Sequence, residues 1–308
     1  MTTLLYAHPA CLGHETGYGH PESADRLKAL LARLEEPEFD GLERRPAPCA
    51  ERAQLARAHD ITYISRVFDL VPAEGEAYVS PDTVLSPGSL GACMRAAGAV
   101  CAAVDAVLAG EARNAFCAVR PPGHHAAAAN TMGFGVFNNV AVGVEQARRV
   151  HGLKRVAVVD FDVHHGNGTE AIFRSDPDVI VASIHQSLVF PRSGDSSEVG
   201  AGNIVNVPLV RDTSAKDYRK AFERKILPRL MEFKPELLFI SAGFDAHVRD
   251  PLGDQRLMTA DFAWLTELLM AVADSHCDGR LVSVLEGGYD PDAVAQAGAA
   301  HIGALMRH

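Results

Sequence analysis

The chain has 308 residues, which at ~150 residues per domain leaves room for two ordinary domains or one large one built on a wide sheet. Hydrophobic residues at 47%, charged residues at 22% and a mean hydropathy of +0.01 exclude disordered, collagen-like and coiled-coil chains. With 29 Lys and Arg against 39 Asp and Glu the net charge is −10, and no basic run occurs, so direct nucleic-acid binding has no electrostatic source.

Short runs rich in Val, Ile, Leu and Phe predict strands at 3–6, 116–119, 155–159, 179–184, 204–207, 237–240 and 281–285. Helices are predicted between them. Ser23 caps a first one, Ser89 opens a long apolar one, and Asn138 or Asn139 opens a third. Ser214 begins a segment reaching about Phe233, Thr259 caps the next, and Asp290 with Pro291 starts the last. Several strands are apolar at nearly every position, the pattern of a parallel sheet covered on both faces. The predicted class is α/β, a three-layer α/β/α sandwich formed as one domain over residues 1–308, since no Pro/Gly/Ser-rich linker divides the chain.

Six cysteines without C-x-x-C spacing read as buried thiols of a reducing compartment. No basic leader and no stretch of about 18 apolar residues is evident, so the expected address is the cytoplasm, with no membrane association. The sequence is compatible with a homo-oligomer and does not specify one.

Polar residues able to do chemistry follow four separate strands: RPPGHH, DFDVHHGNG, SAGFDAH and EGGYD. In an open parallel sheet that edge is where ligands bind, because the loops diverge there into a crevice. Asp162 and His164, two apart at an extended strand end, project to one side and suit a shared metal. Asp245 can add a third donor, giving an Asp-His-Asp set for Zn²⁺ or Fe²⁺ with one position open. His124 and His125, held by a Pro-Pro-Gly bend, offer a general base, and Asp160 and Asn167 are placed to orient their rings. Tyr289, after Gly287 and Gly288, can donate to an oxyanion. Phosphate-cradling GxGxxG and GxxxxGK motifs and the G-x-S-x-G elbow are absent. The residues therefore indicate metal-assisted hydrolysis of a carbonyl compound, amide or ester.

The motifs HPESADRL, DTVLSPGSL, RPPGHHA, GFGVFNN, VDFDVHHGNGT, SIHQ with FPRSG, NVPL, SAGFDAHVRDPLG and EGGYD together resemble the zinc-dependent histone deacetylase family, in particular its bacterial class II-like members. The resemblance implies an eight-stranded arginase/deacetylase fold and removal of an acyl group from acetyl-lysine or a related small amine. It implies Zn²⁺ on Asp162, His164 and Asp245, His125 as base and acid, His124 paired with Asp160, and Tyr289 on the oxyanion. It further implies K⁺ at Asp160, Asp162, His164, Ser183 and Ile184, and an outer monovalent site around Phe173 and Val179. Phe134 and Phe190, with Gly133 and Leu252, match the lining of a narrow acyl-lysine channel.

Two departures bear on tuning. Asn167 stands where some classes carry a second Asp, which predicts a lower pKa for His125. Leu252 stands where polyamine-specific relatives carry a glutamate, which argues against acetylpolyamine specificity. Gly135 in place of a frequent cysteine, and a shortened segment over 191–203, bear on acyl preference. The alternatives are an acetylpolyamine amidohydrolase, an arginase-like enzyme with two Mn²⁺, and a non-catalytic regulator of the acetoin-utilisation type.

Overall fold

The computed structural model describes residues 2–308. In chain order the strands are β1 (Thr3–Ala7), β2 (Leu42–Pro46), β3 (Ala77–Ser80), β4 (Thr83–Leu85), β5 (Asn114–Cys117), β6 (Val156–Asp160), β7 (Val179–Gln186), β8 (Ile204–Leu209), β9 (Leu237–Ala242) and β10 (Leu281–Leu285). Eight of them form one sheet in the order β2-β1-β5-β10-β9-β6-β7-β8, every pairing parallel. β3 and β4 form a separate antiparallel hairpin. All residues of β5, β6, β7, β9 and β10 are buried, as the continuous apolar runs require of strands covered on both faces.

The helices are α1 (Ala24–Arg33), α2 (Arg52–Leu55), α3 (Ile61–Leu70), α4 (Ser89–Leu108), α5 (Asn139–Arg149), α6 (Asn167–Phe173), α7 (Ala215–Ala221), α8 (Leu227–Phe233), α9 (Thr259–His276) and α10 (Pro291–Met306). α4 packs with α5, and α10 packs between α1 and α9, giving helical layers over the sheet. Helix α4, 20 residues long, is apolar enough to cross a membrane by length and composition alone, contrary to the expectation that the chain holds no such stretch. Most of its apolar residues are buried, and the helix packs on α5, β5 and β10, which accounts for the composition without a bilayer.

The caps follow local chemistry. Asn138, Ser214 and Asp290 each accept a backbone N–H of the first turn of their helix. Ser23 occupies the cap position of α1 without making that bond. Thr259 is the first helical residue of α9 instead of its cap, which is Met258, and Asp261 accepts the Met258 N–H at 2.7 Å. Ser89 likewise lies inside α4, its hydroxyl bonding Ser86 and His14. The segment after the Ser214 cap is helical from Ala215 to Phe233, but its middle turn, Phe222–Ile226, is widened ahead of Pro228, which has no N–H for the ladder.

β2, β3 and β4 were not anticipated. β2 is one edge of the sheet and reads Leu-Glu-Arg-Arg-Pro, with Leu42 its one buried side chain, so it lacks the apolar run that marks a strand.

Candidate metal and active site

Four neighbouring central strands, β5-β10-β9-β6, deliver the functional residues from their C-terminal ends. The chain leaves β5 toward His124 and His125, β6 ends at Asp160, β9 leads to Asp245, and β10 leads through Glu286 to Tyr289. Parallel pairing places these four loops at one edge, so residues distant in sequence converge without any long-range accident of packing.

Asp162, His164 and Asp245 come together as a buried group whose donor atoms lie within 4.8 Å of one another. His164 Nδ1 sits 3.1 Å from Asp162 Oδ1 and 3.0 Å from Asp245 Oδ2. These separations approach the ~3.3 Å edge of a tetrahedron of ligands about 2 Å from its centre. The remaining carboxylate oxygens are held by backbone donors, Gly287 N–H to Asp162 Oδ2 at 2.8 Å and Val163 N–H to Asp245 Oδ1 at 2.7 Å. A side chain at Gly287 would overlap both carboxylates, so only glycine lets the backbone approach this closely. Burial, followed by the charge of Asp162, pushes the Asp245 carboxyl well above the usual carboxylate range. Two buried anions and an imidazole that face each other this way fit a divalent cation between them.

The histidine pair behaves asymmetrically. His124 Nδ1 lies 2.8 Å from Asp160 Oδ2; burial opposes its positive charge, but Asp160 and Asp162 overcome that and hold its pKa well above 6.5. His125 Nδ1 lies 2.8 Å from Asn167 Oδ1. Burial, then the charges of His124 and His164, hold His125 well below 6.5. An amide oxygen only accepts, so Nδ1 carries the proton and Nε2 presents a lone pair, the form a general base needs. The Asn167 amide nitrogen is turned away, toward Met132 Sδ at 3.3 Å. Glu286 accepts both the Gly123 and the His124 backbone N–H, at 2.7 and 3.1 Å, and so anchors the loop carrying the pair.

Above these groups opens a cavity of about 300 Å³, lined at its base by His125, His164 and Tyr289 and along its walls by Phe134, Phe190, Gly133 and Leu252. The Phe190 ring stands edge-on to His125 at 5.0 Å between centroids, and Phe134 edge-on to Tyr289 at 5.8 Å. Gly133, at φ +55, lies against the His125 ring, which any side chain there would overlap. The four residues expected along a channel, Phe134, Phe190, Gly133 and Leu252, all lie in the lining of this cavity. Two further residues, Asp82 and Val189, also line it: Asp82 opens the DTVLSPGSL motif but was given no role there, and in the turn of the β3–β4 hairpin its carboxylate accepts the Gly133 N–H at 3.1 Å.

Of the residues assigned to K⁺, Asp160 at the end of β6 is paired in register with Ser183 within the adjacent β7. Asp160 Oδ1 accepts the Asp162 N–H, and the Ser183 hydroxyl bonds His185 at 2.9 Å. At the outer location, the Phe173 and Val179 carbonyls both accept from the Asn203 amide at 2.8 Å.

Beneath the tyrosine loop lies a charged cluster that sequence reasoning missed. Glu22, fully buried, accepts from Arg26 at 3.0 Å and from Arg120 at 2.5 and 2.7 Å. Arg26 continues to the Glu286 and Gly288 carbonyls and lies over the Tyr289 ring, 4.9 Å from its centroid. The HPESADRL motif contains both Glu22 and Arg26, but nothing in their i,i+4 spacing separates a buried pair from an ordinary surface one.

A histone deacetylase domain model matches residues 20–305. The chain is 40% identical over 303 residues to a histone deacetylase-like amidohydrolase of Pseudomonas aeruginosa, covering 96% of this chain and 77% of that protein. It is 36% identical to a probable deacetylase of Archaeoglobus fulgidus, over 94% of this chain and 82% of the other. With the human polyamine deacetylase HDAC10 it shares 38% identity over 96% of this chain and 45% of that one. The crystal structure of the HDA15 HD domain superposes with a TM-score of 0.94 at 33% identity, covering 100% of this chain and 88% of that one. The eight-stranded parallel sheet, the converging loops and these matches place the chain in the histone deacetylase domain family, as a hydrolytic deacetylase.

Proposed function

We propose that the chain removes acetyl or other acyl groups from the amine of an acyl-lysine side chain or a related small amine, with Zn²⁺ held by Asp162, His164 and Asp245. The observation that carries this reading is the juxtaposition, at the base of one narrow cavity, of that donor set with His125 and Tyr289. When bound, the cation supplies Lewis acidity, polarising the acyl carbonyl and acidifying a water beside it. His125 Nε2 accepts the proton of the attacking water and returns it to the leaving amine, so one residue serves both half-steps. Asn167 keeps that ring in the correct tautomer, while His124, charged beside Asp160, stabilises negative charge developing nearby. The Tyr289 phenol donates to the carbonyl oxygen as it becomes an oxyanion. Phe134 and Phe190 grip the alkyl chain of the substrate and exclude water from the reacting end.

A monovalent cation, K⁺, is proposed beside Asp160 and Ser183, with Asp162, His164 and Ile184 completing its surroundings; the buried Asp160 carboxylate supports this. The proposed site of action is the cytoplasm. A second reading, deacylation of small polyamines, draws on the similarity to the human polyamine deacetylase. It is opposed by Leu252, an apolar side chain at the channel wall, while the Asp82 carboxylate that also lines the cavity is already engaged by the Gly133 N–H and the Ser80 and Thr83 hydroxyls.

The test is turnover of acetyl-lysine peptides, longer acyl-lysine peptides and acetylpolyamines, each with and without a hydroxamate chelator. Chelator-sensitive release of acetate from the peptides supports the proposal. Release only from polyamines favours the second reading, and chelator-insensitive turnover rejects both.

A further inference from the structure

The oxyanion donor sits on a loop that cannot hold itself in place. Tyr289 follows two glycines, and Gly288 adopts φ +117, so the backbone leading to the phenol has little stiffness of its own. Its position is imposed from outside. Arg26 takes the carbonyls on either side of Gly287, Asp162 takes the Gly287 N–H, and the Tyr289 N–H itself is donated to Asp250 Oδ2 at 2.6 Å. The other oxygen of the same carboxylate accepts the Leu252 N–H at 2.9 Å. Asp250 is 7% exposed, five residues beyond Asp245, and followed by Pro251, which restricts its backbone to extended conformations. Its own N–H is spent on the His247 carbonyl at 2.9 Å. One buried side chain thus ties the residue at the base of the channel to a residue of its wall.

We propose that Asp250 is a positioning residue for the reaction: it fixes the Tyr289 backbone, and through it the phenol, in register with the reacting carbonyl, and it sets the Leu252 wall by the same carboxylate. Asp250 touches neither substrate nor the three donor side chains in this account. The proposal rests on the oxyanion role given to Tyr289 above. No other residue type serves both bonds equally. Asparagine keeps one acceptor and turns an N–H₂ toward the second donor, while alanine leaves two N–H groups without a partner.

The experiment is a double-mutant cycle on an acetyl-lysine peptide, using Asp250→Asn and Asp250→Ala, each alone and combined with Tyr289→Phe, with metal content and thermal unfolding recorded for every variant. Misplacing a reacting group by about 1 Å can lower the rate on the order of 10²-fold. Asp250→Ala is therefore expected to lower kcat about ten- to a hundredfold with KM changed less than about threefold, and Asp250→Asn to fall between it and the parent. In the Tyr289→Phe background the further loss is expected to shrink to about twofold or less, because the group being positioned is already gone. Metal content stays at the parental value. If Asp250→Ala does not fold, Asp250→Asn alone carries the cycle. Equal losses in both backgrounds, or loss of metal with loss of rate, overturn the positioning role while leaving that of Tyr289 intact. A parental rate for Tyr289→Phe overturns both.

Discussion

Replacing Asn167 by Asp tests the account of the general base. The amide oxygen is 2.8 Å from His125 Nδ1, and the substitution puts a negative charge there with little change in shape. Two opposite charges about 4 Å apart at an effective dielectric constant of about 20 attract by roughly 4 kcal/mol, equivalent to about three pKa units. Asn167 is partly solvent-exposed, so screening and the new carboxylate's own loss of hydration reduce this to about one to two units, within the range seen for neighbouring opposite charges. The sign is fixed: a neighbouring anion favours the imidazolium, raises the His125 pKa, and keeps the base protonated to higher pH. The measurement is the pH profile of kcat/KM at saturating zinc, whose acidic limb is expected to move up by about one to two units. A limb that stays in place, or moves to lower pH, refutes the assignment of His125 as the base oriented by Asn167.

Three further substitutions probe other parts of the site. Tyr289→Phe is expected to cost about 2.7 to 4 kcal/mol in the transition state, a kcat loss on the order of 10²- to 10³-fold, with substrate binding and metal content near parental values; an unchanged rate in steady-state kinetics rules out the oxyanion role. Leu252→Glu adds an anion to a channel wall whose present residue is 39% exposed, worth at most about 1 kcal/mol to a substrate ammonium. The ratio of acetylpolyamine to peptide turnover should therefore rise about two- to fivefold, and a constant ratio contradicts the specificity argument. Glu22→Gln strips the shared counter-charge from buried Arg26 and Arg120 and is expected to cost about 3 to 5 kcal/mol. With an unfolding entropy of ~0.65 kcal/mol/K for 308 residues, that lowers Tm by roughly 5 to 8 °C, read by calorimetry. Burial opposes the Glu22 anion, but Arg120, His14 and Arg26 hold its pKa down to about 2, so its stabilising effect is present above about pH 4.5 and is lost only as pH falls toward 2.

What could be read in advance divides along physical lines. Strands buried on both faces announce themselves as apolar runs, which is why β6, β7, β9 and β10 and the chemistry at the ends of β6, β9 and β10 were legible. Asp162 and His164 gave themselves away by a two-residue spacing that only a strand end makes meaningful, and Asn138, Ser214 and Asp290 by ordinary capping chemistry. The polar edge strand β2 and the short β3–β4 hairpin gave no such pattern, and although Asp82 opens the DTVLSPGSL motif, its role rests on a contact 51 residues away in sequence that no spacing reveals. Asp250, Glu286, Glu22 and Arg26 were missed for a shared reason: each acts by accepting or donating to the backbone of another loop, or by burying its charge against a partner, and neither leaves a periodicity behind.

The central claim is that Asp162, His164 and Asp245 hold one catalytic cation. Elemental analysis of the purified parent beside Asp245→Ala tests it most directly. The account predicts one zinc per chain in the parent, and metal and deacylation lost together in the variant. A fully active parent free of metal, or an Asp245→Ala variant with its full complement of zinc, contradicts it.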